Sequence, residues 1–501
     1  MTVLLYTLGI VLFLVGIGLS IALHELGHLV PAKAFGVKVT KYMVGFGPTV
    51  FSLRRGDTEY GIKLLPLGGF IAMPGMYPPE EATRTRIEDG AADAGTEDAA
   101  ATEDAAATGE ALSTAEAPGT SAPARRRRRA RLFERSMQDA RDVSNEEIAP
   151  GEEHRTFYAL PVPKRLVVMF GGPVVNLVLG IVVMGIVLLG IGNPALSTTV
   201  DTVVECAVPA SVTAERQQAA REAGASEEEA AQAASECRDG DALTPAWEIG
   251  MQPGDTVLSI DGTPVGTWKE LSEAVRASAG RTVPVMIERD GEELTLQAPI
   301  IVTERVKTDA SGVPVLDANG DQQLEPTGFL GIGPRQEYRP IPVSEFPAQM
   351  ADMLGQTFHA LFTLPQKLVG VGEVAFTDTE RDPNGPIGMV GVGRIAGEVV
   401  STDLVDLTGK LNLGLGLLGS LNLFLFAFNM VPLLPLDGGH IAVALYEGAR
   451  RRINLLRGRG AIGPFDTARL LPLTYTVVGL MLCMTVLLVW VDLFEPIRVF
   501  E

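Results

Sequence analysis

Four stretches of the 501-residue sequence are apolar over about 20 residues or more, the length needed to cross a lipid bilayer. They predict transmembrane helices at 1–34, 163–193, 412–440 and 468–493. The first stretch has no basic start and no small-residue cleavage site after it, so it is interpreted as a retained span and not as a secretory signal. The pattern predicts an α-helical polytopic membrane protein with four transmembrane helices.

The polar and apolar residues between the first two spans alternate in a way that is typical of strands. A β-hairpin is predicted within 41–75, with strands at 49–53 and 59–64. The apolar run after it indicates that the hairpin is membrane-associated, where protein or a wet cavity must satisfy its backbone. The next segment, 78–150, has almost no apolar bulk and is predicted to be a disordered cytoplasmic linker.

The long segment between spans two and three predicts a soluble α+β unit at 199–301. A turn, strand and turn are expected at 250–265, a helix at 268–278 and a hairpin at 283–298. This order resembles a PDZ domain, a class that binds peptides by adding a strand to a sheet edge. An Ala/Glu-rich helical insertion at 208–241 interrupts it. The sequence leaves open whether the groove binds a peptide or only excludes bulky substrates.

Residues 302–411 are predicted to form a linker and amphipathic helices. Helical periodicity at 343–375 favours a helix on the outer membrane surface, with packing against the PDZ-like unit as the alternative.

Lysine and arginine cluster in the segments between spans one and two and between spans three and four, as in 125–129 and 450–452. The positive-inside rule places these segments in the cytoplasm, and therefore both termini and 193–411 outside the cell. We expect the plasma membrane as the location. The formal net charge of −20 argues against nucleic-acid binding.

Of the three cysteines, Cys483 lies inside the fourth span. Cys206 and Cys237 enclose the insertion in the predicted external region, where a disulfide can persist. We predict that these two cysteines are bridged.

The first span carries the candidate chemistry in the motif HELGH. His24 and His28 are four residues apart and share one face of a helix. With Glu25 between them, they form the H-E-x-x-H pattern of zinc peptidases, in which the glutamate is the general base. Ionisable groups inside a span are costly and usually functional, so a hydrogen-bonded core histidine is a poorer interpretation. The motif predicts a bound Zn²⁺.

A catalytic zinc needs a third protein ligand, and Asp437 at the end of the third span is the candidate. It follows Pro432 and Pro435, which disturb the preceding helix. The alternative is a carboxylate that caps a helix starting near Gly438. The amide of Asn429 can bond a substrate strand or a neighbouring helix.

HELGH, GPVVN at 172–176, the PDZ-like unit and NMVPLLPLDGG together resemble the site-2 protease family of intramembrane zinc peptidases. Within that family the chain is similar to bacterial regulator-of-sigma-factor proteases with a PDZ domain. The resemblance implies zinc ligands at His24, His28 and Asp437, and a general base at Glu25. It also places the hairpin 47–66 beside the substrate and implies substrate-binding residues at Asn429, Gly47 and Asn176.

The function that this resemblance implies is regulated intramembrane proteolysis. Substrates would be single-span proteins such as anti-sigma factors or signal-peptide remnants, cut within or near their spans after an upstream site-1 protease has trimmed them. One alternative is a membrane-anchored PDZ adaptor with a vestigial metal site, against which the intact Glu25 argues. A metal transporter is a second alternative, but spans two and four offer little ionisable character.

Overall fold

The computed structural model describes residues 2–79, 138–139, 141–142, 144–307, 315–316, 322–376, 381–382, 385–402, 404–458 and 463–497. The chain divides into two compact units. We call Met1–Ile191 with Ile341–Glu501 the membrane unit, and Gly192–Pro340 the sheet unit.

The described residues form these α-helices in chain order: α1 (Thr2–Ala34), α2 (Val162–Gly185), α3 (Ala210–Glu222), α4 (Glu227–Ser235), α5 (Pro245–Glu248), α6 (Trp268–Ala277), α7 (Phe346–Phe376), α8 (Met389–Ser401), α9 (Leu407–Asn429), α10 (Asp437–Leu456) and α11 (Leu471–Phe494). The strands are β1 (Lys41–Arg55), β2 (Thr58–Ala72), β3 (Asn193–Val203), β4 (Thr256–Ile260), β5 (Thr263–Pro264), β6 (Thr282–Arg289), β7 (Glu292–Pro299), β8 (Ile301–Val306), β9 (Leu324–Phe329) and β10 (Ile332–Arg339).

Four of the described helices are long and apolar enough to cross a membrane, as the sequence predicts. They span Val3–Ala34, Val162–Ile191, Leu407–Asn429 and Thr467–Phe494. The second of these runs from α2 into a π-helical turn, Ile186–Ile191.

The third span is shorter than predicted. It ends at Asn429 instead of 440, and a separate helix, α10, begins at Asp437. Pro432 and Pro435 separate the two helices because a proline ring removes a backbone donor and blocks helix continuation.

The first two spans approach each other through glycines. An added Cβ on Gly27 of α1 would lie 2.4 Å from the backbone oxygen of Gly171 on α2. Small residues let helix backbones come this close, which is the usual device of helix packing in lipid. The contact brings the HELGH turn of α1 directly against α2.

The predicted hairpin is present and its strands are longer than expected. The 41–44 part of β1 lies between two parts of β2, since Tyr42 pairs with both Tyr60 and Ile71. The 69–72 part of β2, which we call the edge segment, pairs with β1 on one side and faces α1 on the other. An added Cβ on Gly69 would lie 2.9 Å from Cγ of Glu25. Gly45 and Gly68 have φ angles of 95° and 110°, and these bends hide the strand alternation in the sequence.

The predicted linker 78–150 lies mostly outside the described residues, but its predicted end is wrong. Ser144 accepts a hydrogen bond from the backbone N–H of Gly75, and Asn145 donates one to the carbonyl of Tyr77. Arg141 forms a buried ion pair with Asp466, at 2.7 Å. Hydrogen bonds and an ion pair, not apolar packing, hold this part in place. Its scarcity of apolar residues therefore did not reveal that it is ordered.

A few residues further on, Arg155 pairs with Asp57 at the hairpin turn. The hydrogen bond from the Arg155 guanidinium lowers the pKa of the Asp57 carboxyl.

The sheet unit is larger than the predicted 199–301. Its main sheet has the strand order β10-β3-β4-β6-β7, with β5 paired to β4, and β8 pairs with β9. The core lies between the sheet and α6, with Leu271 packed against Val257 and Ile287. β10 pairs with β3, so the region predicted as a linker from 302 onward contains strands. Glycines and prolines in 326–334 break the alternation that would have revealed them.

The predicted insertion consists of α3 and α4 and is closed by a disulfide. Cys206 and Cys237 are bonded, as predicted. The helix predicted at 343–375 is α7, and its position on the membrane surface stays a prediction.

Candidate metal centre

The two histidines of HELGH lie one turn apart on the inner face of α1. Both are buried, with 9% of His24 and 4% of His28 exposed. Their Nε2 atoms are 3.2 Å apart. Two imidazole nitrogens this close, in an apolar helix, point at one small volume.

Asp437 reaches the same volume from the start of α10. The backbone at Gly438 and Gly439 is packed against the preceding loop, where an added Cβ would lie 2.3 Å from the oxygen of Val431 or 2.5 Å from the nitrogen of Leu434. This tight turn directs the first side chain of the helix toward α1. Oδ2 of Asp437 lies 3.3 Å from Nε2 of each histidine.

The three side chains fit a tetrahedral zinc ion. The ligand atoms of His24, His28 and Asp437 are 3.2–3.3 Å apart. Zinc bonds of about 2.0–2.1 Å place neighbouring ligands of a tetrahedron about 3.3–3.4 Å apart. Oδ2 of Asp437 is buried, and no group among the described residues donates a hydrogen bond to it. Within the described residues, this is the one cluster of three or more His, Cys, Asp or Glu side chains with metal-ligand spacing.

Backbone and amide groups of α2 orient both imidazole rings. Nδ1 of His28 lies 2.8 Å from the carbonyl oxygen of Val168, which accepts its proton and leaves the lone pair on Nε2. Nδ1 of His24 lies 3.1 Å from the side-chain amide of Asn176. Oδ1 of Asn176 has no other partner, and a half-turn of the amide lets it accept the Nδ1 proton. Both rings can thus present Nε2 as a ligand.

Glu25 lies in the same cavity and is not part of the ligand cluster. The cavity has a volume of about 280 Å³. Glu25 is 8% exposed, and its Cγ lies beside the edge segment at Gly69. The cavity thus brings together the predicted base, the predicted ligands and a strand edge. Its lining residues include Gly69, Phe70, Ile71, Met73, Met169, Asn429, Pro435 and His440.

The three predicted substrate-binding residues lie in different places. Asn429 lines the cavity. Asn176 instead contacts Nδ1 of His24, at 3.1 Å. Gly47 is not among the lining residues, and no described residue other than its own chain neighbours lies within 4 Å of the position of its missing Cβ. The hairpin residues that do line the cavity follow the predicted 47–66, in the apolar run LLPLGGFIAM.

Sequence reasoning also missed Arg165 and Glu447, which form a buried ion pair between α2 and α10. The available signal was an arginine directly before the apolar run of span two.

The chain belongs to peptidase family M50. The model of that family, described as "Peptidase family M50", matches residues 12–471, a range that contains the HELGH motif and Asp437. The chain is 32% identical to zinc metalloprotease Rip1 of Mycobacterium tuberculosis, with 99% of this chain and 100% of that protein covered. It is 26% identical to zinc metalloprotease RasP of Geobacillus kaustophilus, with 88% and 90% covered. It is 23% identical to metalloprotease MmpA of Caulobacter vibrioides, with 86% and 84% covered.

These comparisons confirm the predicted membership of the site-2 protease family and the predicted class of zinc metallopeptidase. Together with the four candidate spans, they support a protease that works within a membrane.

Proposed function

We propose that this chain is an intramembrane zinc endopeptidase that hydrolyses peptide bonds within or near the spans of single-span membrane proteins. The observation that carries the proposal is the triangle of ligand atoms from His24, His28 and Asp437, with Glu25 in the same cavity. Peptide hydrolysis by a zinc peptidase needs water, a metal ion and a base, and lipid supplies none of them. The candidate ligands and Glu25 line one cavity that could hold the metal and water.

The ligand and base roles are divided by geometry. His24, His28 and Asp437 would hold a zinc ion, which when bound would supply Lewis-acid chemistry to the scissile carbonyl and the attacking water. Glu25 accepts the proton of that water and passes it to the leaving amine. Val168 and Asn176 keep the imidazole rings oriented throughout.

The substrate must present an extended backbone, because a helix hides its carbonyl groups. The edge segment supports this step, since it lines the cavity beside Glu25 and, among the described residues, pairs with no strand other than β1. An added substrate strand would place its scissile carbonyl next to the cavity. Asn429 lines the same cavity and is the candidate donor to the substrate backbone.

The sheet unit is proposed to be a PDZ-like filter. It contains a groove of about 540 Å³ between α6, the segment 327–332 and α3 of the insertion. The insertion narrows this groove, which favours exclusion of bulky, untrimmed substrates. This role fits substrates such as anti-sigma factors or signal-peptide remnants that an upstream site-1 protease has already cut outside the plasma membrane. Both termini and the sheet unit would then face outward.

The test is Glu25→Ala in the full chain, purified in detergent, with a single-span protein as the model substrate. We expect cleavage to fall by about 100- to 10,000-fold, the usual contribution of a general base. Zinc content should stay unchanged, because Glu25 is not a ligand.

The adaptor alternative predicts a different result. A wild-type protein that cleaves no model span and carries no zinc, but binds peptides, would contradict the protease proposal. Equal loss of zinc and cleavage in Glu25→Ala would contradict the assignment of Glu25 as the base.

A further inference from the structure

One face of α2 contacts both histidines of the metal centre. Val168 and Asn176 lie on this face and bond the Nδ1 atoms of His28 and His24. Arg165 lies three residues before Val168, so it is next to Val168 on the same face. Among the described residues, the hydrogen bonds and ion pair of its side chain go to Glu447 and not to either histidine.

Arg165 instead binds the helix that carries the third ligand. Its Nη1 and Nη2 donate to Oε2 and Oε1 of Glu447 on α10, at 2.9 and 2.6 Å. The side chains are 6% and 2% exposed. Arg451 also pairs with Glu447, and the backbone N–H of Phe465 donates to it at 3.2 Å. The carboxylate is therefore fully bonded from several directions, and a two-pronged arginine contact fixes its orientation.

Stability alone is a poor explanation for this ion pair. Burying two charges costs more than their attraction returns in many proteins, and apolar replacements of similar volume are often neutral or stabilising. Apolar packing is already present here, since Ile441 of α10 packs in one cluster with Leu29 and Val168. Such packing holds helices together but is non-directional, so it does not fix the rotation or tilt of α10. The ion pair fixes that orientation.

The orientation of α10 matters because the helix carries the proposed ligand Asp437 at its first residue. Glu447 lies ten residues from Asp437, about 15 Å along the axis. Backbone contacts at Gly438 and Gly439 hold the first end of this helix, and Glu447 is a second fixed point further along. Metal sites tolerate deviations of about 0.2 Å in ligand distance. A roll or tilt of α10 of this size would move Oδ2 of Asp437 out of place.

We propose that Arg165 is a positioning residue for Asp437, so that one face of α2 helps to position all three proposed metal ligands. It does so through Val168 for His28, Asn176 for His24, and the Arg165–Glu447 pair for Asp437. The inference rests on the proposed function only in taking these three side chains as ligands of zinc.

The experiment uses Arg165→Lys in the full chain. Lysine keeps the positive charge and loses the two-pronged contact. The affinity for Zn²⁺ is measured in detergent by competition with a chromophoric chelator, and the Tm is measured on the metal-free protein. We expect a loss of zinc affinity of about tenfold or more, as is typical of lost outer contacts, with little change in Tm.

The matched control is Arg381→Lys. Arg381 pairs with Asp492 in the same membrane unit and is equally buried, at 8% and 0% exposure, but Asp492 lies on α11, which carries no ligand. We expect Arg381→Lys to leave the zinc affinity unchanged. Equal zinc affinity in wild type and Arg165→Lys would overturn the proposal, and so would an equal loss in both lysine variants.

A double variant covers the case in which Arg165→Lys does not fold. Arg165→Met with Glu447→Met removes both members of the pair, although Arg451 then loses its partner. This protein should bind zinc more weakly than wild type, and wild-type affinity would contradict the proposal.

A wild type that binds zinc tightly but cleaves no model span would contradict the protease proposal alone, since the affinity comparison remains valid.

Discussion

At the scale of single residues, two residues that are adjacent in the sequence have different proposed roles in the candidate site. His24 and Glu25 are adjacent in sequence, yet helix geometry turns successive side chains by about 100°. His24 therefore faces His28 and Asp437, and Glu25 faces the edge segment. The proposed base is thus held apart from the proposed ligands, an arrangement that would let it act on a proton without competing for the metal.

Asp437→Asn tests the third ligand. Asparagine keeps the shape but removes the charge that attracts a cation, so zinc affinity and cleavage should both fall. Asp437→Ala should lower both further, because it removes the oxygen ligand. Zinc content after dialysis and cleavage of a model span provide the measurement.

Asp492→Asn is the matched control for Asp437, because Asp492 is a buried carboxylate of the membrane unit that pairs with Arg381. It should retain wild-type zinc content. Normal zinc content and activity in Asp437→Ala would rule out the three-ligand site.

The sequence predicts the three candidate ligands that the structure brings together, but it does not predict their supporting contacts. Two histidines four residues apart share a helix face in any helix, and an acid at the end of an apolar span needs a partner. The contact between Asn176 and His24 depends on how closely α1 and α2 pack. That distance is set by Gly27 and Gly171, whose pairing no local pattern shows.

At the scale of elements, the hairpin shows how a strand can be hidden from a sequence pattern. β2 was predicted to end at 64, but it continues through Gly68 to Ala72. The bend at Gly68 shifts the alternation, so the second half looks like a plain apolar run. That half, which includes Gly69, is the part of the hairpin that lines the cavity of the candidate metal centre.

Gly69→Ala should slow cleavage without removing zinc. The new Cβ would lie 2.9 Å from Cγ of Glu25 and 3.0 Å from Cγ2 of Ile21, so the edge segment must move away from α1. This displaces the proposed substrate strand and the base but touches no ligand. Cleavage rate and zinc content of the purified variant provide the check.

Gly47→Ala is the control on the same hairpin. Gly47 has open space around it but a φ of 88°, so alanine there costs about 1–2 kcal/mol of strain. We expect a modest loss of stability with cleavage retained. A Gly69→Ala protein that cleaves at the wild-type rate would show that the edge segment does not position the substrate.

At the scale of the whole molecule, the long segment before α2 is expected to be dispensable for the chemistry. It contributes no candidate ligand. The residues on either side of it are already connected, because Gly75 and Tyr77 are hydrogen-bonded to Ser144 and Asn145. A deletion of 85–120 keeps the arginines at 125–129 that favour the proposed topology.

We expect the deletion protein to cleave a model span at close to the wild-type rate in membranes. Protease protection of the loops serves as the control for correct insertion. Complete loss of cleavage in a correctly inserted protein would show that this segment has a function in proteolysis.

The wide separation of the ligands has a consequence for biosynthesis. A ribosome adds His24 and His28 about 400 residues before Asp437. At about 5–20 residues per second, about 20–80 seconds pass between the two events. During that time the first spans can already lie in the bilayer beside other newly inserted proteins, but they hold only two of three ligands. We therefore expect the nascent chain to be harmless to its neighbours until Asp437 and the helix that begins with it have been made.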